Sequence, residues 1–234
     1  MVDKRSSGRP TGKDSTKVRD AYIKTARFHF TENGYSRASM STIAKDAGYT
    51  PTALRHHFSD KMELYSAVFA ATANEVYPQI VRHLYSPSMA QAIEGSMANM
   101  LELSNNSPEY TYFLARVPSE LRKFPELRDR VEVRENFTEF FYSSLISLGR
   151  KTGELESLTD ELHIKFFRIV MQGWIYDGHY SQNVNLTTQT ALLKLLQRVI
   201  GASPHKGESF VRQSQYYDLR ALQAFEKPLT RPIL

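Results

Sequence analysis

The sequence predicts an all-α protein: an N-terminal three-helix domain carrying a helix-turn-helix, followed by a larger helical domain. Three observations carry that prediction. Apolar residues recur at three- and four-residue spacing along most of the chain, and no strand-like alternation competes with them. Helix-stop and helix-start signals separate the periodic stretches, at Gly34, Gly48, Thr50-Pro51, Asn105-Asn106-Ser107-Pro108 and Thr152-Gly153. Positive charge is concentrated at one end: residues 1–61 hold 12 Lys and Arg against 6 Asp and Glu, and the remaining 173 hold 18 against 19.

That asymmetry says more than the net charge of +5, because it puts the basic surface on one domain, as a nucleic-acid face requires. The absence of cysteine excludes disulfides and thiol chemistry. No run of about 18 apolar residues is present, so no transmembrane helix and no membrane partner are expected. The N-terminus is basic and polar and has no apolar signal-peptide core, so the expected location is the cytoplasm.

Residues 1–14 (MVDKRSSGRPTGKD) read as a flexible basic arm. The Gly8-Arg9-Pro10 step resembles the core of short motifs that lay arginine into narrow A·T minor grooves, with Lys4, Arg5 and Lys13 beside flanking phosphates. Asp14 or Ser15 can cap a first helix running to about Asn33, with Tyr22, Ile23, Ala26 and Phe30 on its apolar face and Gly34 ending it. Ser39 can cap a second helix, whose face is Met40, Ile43, Ala44 and Ala47. Ser41 and Thr42 sit in its first turn, where free N–H groups favour a phosphate. Gly48 supplies the left-handed residue after it. Thr50 can cap a third helix with Pro51 in its first turn.

That third helix buries Leu54 and Phe58 and exposes Thr52, Ala53, Arg55, His56 and His57. Small residues followed by long donors are what a helix N-terminus needs to enter a major groove and reach base edges. The adjacent His56 and His57 point about 100° apart on a helix, so they cannot chelate one ion, and no other metal-ligand set is present. No metal and no cofactor are expected.

The run IAKDAGYTPTALRHHFSDKMEL resembles the helix-turn-helix signature of TetR/AcrR-type transcriptional regulators, and AYIKTARFHFTENGY resembles that family's first helix. The resemblance covers residues 15 to 70 and rests on the hydrophobic spacing, the turn glycine and the His57-Phe58-x-x-Lys61 pattern together. It departs from the family at Thr52, where glycine is usual, and at Arg55, where an aromatic is usual. The resemblance implies phosphate contacts for His57 and Lys61. Arg55 can take a phosphate contact or reach guanine O6 and N7. The implied partners are a double-stranded DNA operator, a second copy of the chain, and a small-molecule effector.

On this reading residues 15–61 form the DNA-binding domain, residues 62–202 the ligand-binding and dimerisation domain, and residues 203–234 a partly helical extension. A long helix from Glu63 to about Tyr85 contains Pro78, which predicts a kink or an early end. Ser88–Leu103 faces inward through Met89, Ile93, Met97 and Leu101. Glu109–Arg116 is expected as a short helix, Pro118 to Pro125 as a separate piece, and Leu127–Lys151 as one long helix. Ser157-x-x-Asp160 starts Glu161–Tyr180 as a capping box, and a last helix spans Thr188 to Ile200.

The last two helices carry more apolar surface than one protomer covers. The resemblance implies that they pair with their copies in a dimer, through Phe167, Val170, Trp174, Leu192, Leu196 and Val199. An effector pocket is expected among Tyr110, Tyr112, Phe113, Arg116, Asn136, Phe140, Tyr142, Trp174, Tyr176 and His179, although aromatic stripes of this kind also serve as plain core. Arg116 either anchors an anionic ligand or pairs with Glu109. The leading expectation is a dimeric repressor released from a palindromic operator by a small, largely apolar ligand. A regulator governed by a protein partner, or acting as an activator, has the same N-terminal half. An enzyme is not expected, for the chain shows no nucleophile–base pairing, phosphate loop or metal set.

Overall fold

The computed structural model describes residues 12–131, 133–155 and 160–181, and the isolated residues 191 and 194. All regular structure among them is helical. The chain divides into two units, Met1–Val68 and Phe69–Leu234.

In the first unit α1 spans Gly12–Arg37, α2 Met40–Asp46 and α3 Pro51–His57, and α4 (Lys61–Val81) begins there. The helix proper of α1 ends at Gly34, whose φ of 73° is open to glycine and costly for residues with a Cβ. Gly48, with φ 84°, turns the chain after α2. Thr50 caps α3, its Oγ1 accepting from the Ala53 N–H at 3.1 Å. Ser39 occupies the N-cap position of α2, but its hydroxyl makes no capping bond, contrary to the expectation. Of the predicted core, Tyr22, Ile23, Ala26, Phe30, Ile43, Ala44, Leu54 and Phe58 are buried, while Met40 and Ala47 are half-buried. Tyr65 of α4 joins it edge-on to Phe30, with ring centroids 4.9 Å apart.

In the second unit α4 continues through Pro78 to Val81, where the α-helix gives way to a 3₁₀ turn, Arg82–Tyr85. Helix α5 (Met89–Asn106) buries the expected stripe of Met89, Ile93, Met97 and Leu101. Its N-terminus is satisfied twice. Ser88 Oγ accepts from the Gln91 N–H, and the buried Glu154 carboxylate accepts from the N–H groups of Met89 at 2.7 Å and Ala90 at 2.8 Å. A carboxylate here also meets the positive end of the helix dipole.

Two expected breaks fall elsewhere. Helix α6 runs unbroken over Pro108–Lys123 with Pro118 inside it, so the separate pieces before and after Pro118 are one helix. Proline removes one helical donor, but Thr111, Phe113, Leu114, Val117 and Leu121 form one continuous buried face whose packing outweighs that loss. The long helix expected from Leu127 is instead a 3₁₀ segment, Pro125–Arg130, followed by α7, Val133–Lys151. Leu127 and Val131 are buried and pin that join. Helix α8 spans Asp160–Ser181. The capping box at Ser157, the helix from Thr188 and the 203–234 extension lie outside the described residues, apart from helical positions at 191 and 194.

Candidate nucleic-acid interface and internal cavity

The base of the first unit's basic face is an aromatic cluster. Tyr22 of α1 lies 5.1 Å from the Tyr49 ring, 5.6 Å from His57 and 6.5 Å edge-on from Phe58. The Arg19 guanidinium sits 5.1 Å over the Phe58 ring. Leu54 and Phe58 are thereby locked inward, and the opposite side of α3 is left to solvent. Thr52, Arg55 and His56 are exposed on it; Ala53 and His57 are half-buried. Thr50 and Pro51 are exposed at its start, with the Thr50 hydroxyl already committed to the cap. Ser39, Ser41 and Thr42 are exposed around the N-terminus of α2. Thus a helix end with small residues, an arginine and a histidine projects from a fixed base, next to a second helix end lined with hydroxyls. Lys13 lies in the first turn of α1; Arg5 and Arg9 lie outside the described residues.

Three relationships in this unit escaped sequence reasoning. His29 Nε2 and Asp46 Oδ2 lie 2.8 Å apart, joining α1 to the end of α2 across 17 residues, a separation with no helical periodicity to reveal it. The Tyr22 hydroxyl is buried with no hydrogen-bond partner, and burial first, then the Tyr49 phenol, pushes its pKa above the ordinary 10.0. Lys61 is held within the domain. Its Nζ donates to the carbonyls of Ser36 at 3.1 Å and Ala38 at 3.2 Å and stands 4.6 Å over the Tyr35 ring. Burial lowers its pKa. Two of its three N–H donors are thus spent on the α1–α2 turn, which leaves one for any phosphate.

The second unit contains a cavity of about 490 Å³. Val76, Tyr77 and Ile80 of α4, Ser96 and Met100 of α5, Leu114 and Ala115 of α6, Phe137, Phe141 and Tyr142 of α7 and Met171 of α8 give it an apolar and aromatic body. Tyr77 and Phe137 stack face to face, centroids 3.6 Å apart and planes within 5°. Of the residues expected to line a pocket, Arg116 and Tyr142 do so. Phe113 is instead core, 1% exposed, and Tyr110, Tyr112 and Phe140 are half-buried away from the cavity wall. The side chains of Asn136, Trp174, Tyr176 and His179 lie outside the described residues. The aromatics that do line it, Tyr77 from α4 and three residues of α7, share a wall only because α4 and α7 meet in space. A one-dimensional pattern does not contain that.

Helix α8 places the expected dimer residues differently from the helical wheel. Phe167 is 2% exposed within the single chain and belongs to the protomer's own core, and Val170 is half-buried. Among the described residues of α8, the large apolar ones left in solvent are Leu162 and Ile169, two turns apart on one face and 52% and 71% exposed. The Trp174 side chain and Leu192, Leu196 and Val199 lie outside the described residues.

Residues 23–68 match the family model of bacterial regulatory proteins, tetR family. None of the curated proteins matches the sequence. Among solved structures, a TetR-family transcriptional regulator from Agrobacterium tumefaciens is similar over 79% of this chain and 97% of its own, with TM-score 0.68 and 15% identity. The fatty acid degradation regulator FadR from Bacillus halodurans is similar over 85% and 99%, with TM-score 0.64 and 17% identity. AibR, in complex with isovaleryl coenzyme A and operator DNA, is similar over 78% and 97%, with TM-score 0.64 and 17% identity. The N-terminal domain is thus matched by the tetR family model, and the helical fold is similar to that of TetR-family structures.

Proposed function

We propose that this regulator is a cytoplasmic, dimeric repressor that a small, largely apolar ligand releases from an inverted-repeat operator. The observation that carries the reading is α3: Thr52, Arg55 and His56 project from a helix whose other side, Leu54 and Phe58, is fully buried. Such a helix reads a major groove with its N-terminal turns while neighbouring hydroxyls, here Ser39, Ser41 and Thr42, take phosphates. Arg55 reads guanine, and the basic arm with Arg5 and Arg9 follows the adjacent minor groove. Two-fold pairing through the apolar surface of α8 supplies the second reading head, and with it the palindrome.

The cavity in the second unit is the effector site. Its volume suits a small ligand, and its wall is mostly apolar with a few polar groups. AibR, of similar fold, has been seen with both an acyl thioester and operator DNA, which supports pairing the two functions here. Release demands a ligand that favours a conformer with wrongly spaced heads. Moving the balance from about 99:1 to 1:99 takes roughly 5.5 kcal/mol of differential binding.

The test is to incubate the purified protein with sheared genomic DNA at about 150 mM salt, where non-specific phosphate binding is weakened, and to sequence what it retains. A sharp inverted repeat is the expected result. Salt-sensitive retention with no preferred site would reduce the basic end to an electrostatic patch and overturn the reading.

A further inference from the structure

We infer that the cavity binds an amphiphilic anion, with an apolar tail among the aromatic walls and a negatively charged head at the α6 side. This rests on the reading of the cavity as the effector site and deepens it by naming the ligand's chemistry. The wall is chemically lopsided. Among its described residues are two cations, Arg116 and Lys123, and no aspartate or glutamate. Both cations lie on α6 with Ser119 between them, at positions i, i+3 and i+7, which share one helical face. Exposure tells which end of the cavity that face forms. Pro118, Ser119 and Lys123 are exposed and Arg116 is half-buried, whereas Tyr77, Phe137, Phe141 and Tyr142 are buried. The charged stripe is therefore the mouth and the aromatic group the interior.

Physical chemistry assigns the ends of a ligand accordingly. A charged head cannot enter the apolar interior without a large desolvation cost, and an apolar tail gains by leaving water. A cationic mouth lowers the energy of an anionic head and raises that of a cationic one by the same interaction, so the sign of the head is selected even where the tail supplies most of the affinity. A carboxylate and the phosphates of an acyl thioester both meet this requirement.

The full-length protein should be titrated by calorimetry with decanoate, decanoyl coenzyme A, decanol and decyltrimethylammonium, which share a tail and differ in the head. At least one of the two anions is expected to bind about tenfold or more tighter than decanol, and the cation more weakly than decanol. Which of the two anions binds distinguishes a free carboxylate from phosphates as the source of the charge. Lys123→Glu, an exposed change that leaves the fold intact, is expected to abolish the preference for the anion while decanol binding persists. Equal binding of decanoate, decanoyl coenzyme A and decanol, stronger binding of the cation, or an unaltered anion preference in Lys123→Glu would overturn the inference. Operator release is read separately. Anion binding without release would sink the repressor mechanism and leave the ligand class standing; release by an uncharged compound, with no anion bound, would do the reverse.

Discussion

His29 Nε2 meets Asp46 Oδ2 at 2.8 Å, with the His29 side chain 10% exposed and that of Asp46 48% exposed. The contact fixes the end of α2 against α1, and α2 in turn sets where α3 begins, three residues beyond Gly48. The orientation of the reading helix thus depends on a polar contact as well as on the apolar core.

A double-mutant cycle with His29→Gln and Asp46→Asn is expected to give a coupling energy of about 1 kcal/mol, the upper range for a pair open to solvent on one side. Urea denaturation of the four proteins measures it. A coupling near zero would mean that packing alone holds the two helices.

Tyr22 predicts an alkaline limit. Its hydroxyl is buried without a partner and its pKa is raised, first by burial and then by Tyr49. The folded domain therefore holds that proton more tightly than the unfolded chain does. The neutral tyrosine's contribution is intact below the ordinary value of 10.0 and is lost as pH rises through the raised one. Tyr22→Phe keeps the ring contacts with Tyr49, His57 and Phe58 and removes the orphan hydroxyl. It should melt no lower at neutral pH, with a gain of up to about 1 kcal/mol, and it should flatten the fall in melting temperature above pH 10.

Arg55→Ala should cost about 1–3 kcal/mol of operator binding and relax preference at one base position, as loss of a bidentate guanine contact does. Binding to a randomised operator library reads both effects. A uniform loss over all sequences would move Arg55 to the phosphate backbone.

Lys61→Met separates two roles that the same residue can fill. Because Nζ grips the Ser36 and Ala38 carbonyls, the substitution should lower the stability of the first unit by about 1–3 kcal/mol. The slope of log affinity against log salt should stay nearly unchanged. A slope reduced by about 1 would show that its remaining donor holds a phosphate.

Glu154→Ala should destabilise the second unit by about 1–3 kcal/mol, since it strips partners from the N–H groups of Met89 and Ala90 at the buried start of α5. Thermal unfolding followed by circular dichroism is sufficient to detect it.

The helix-turn-helix was legible because its information is local. Gly48, Thr50-Pro51 and the spacing of Leu54 and Phe58 act within a few residues of one another, and the structure uses them as read. The cavity was legible only at Arg116 and Tyr142. Its wall joins Tyr77 to Phe137, sixty residues away, and Phe113, which sits on the same helix as Arg116, turns into the core instead. Pro118 misled for a related reason: a breaker is judged on local cost, and here the packing of a whole helical face decided the outcome. The Phe167 prediction failed to separate a protomer's own core from surface left for a partner, a distinction made by neighbouring helices rather than by periodicity.

Lys61 opens α4, yet its ammonium is clasped by the turn that leads into α2. Pull on the first turn of α4 and that turn must follow, because a partly buried cation separated from its two carbonyls has nothing comparable to bind. The DNA-binding head is for this reason a single mechanical piece. Any displacement of the first turn of α4 is therefore passed to the turn that positions α2.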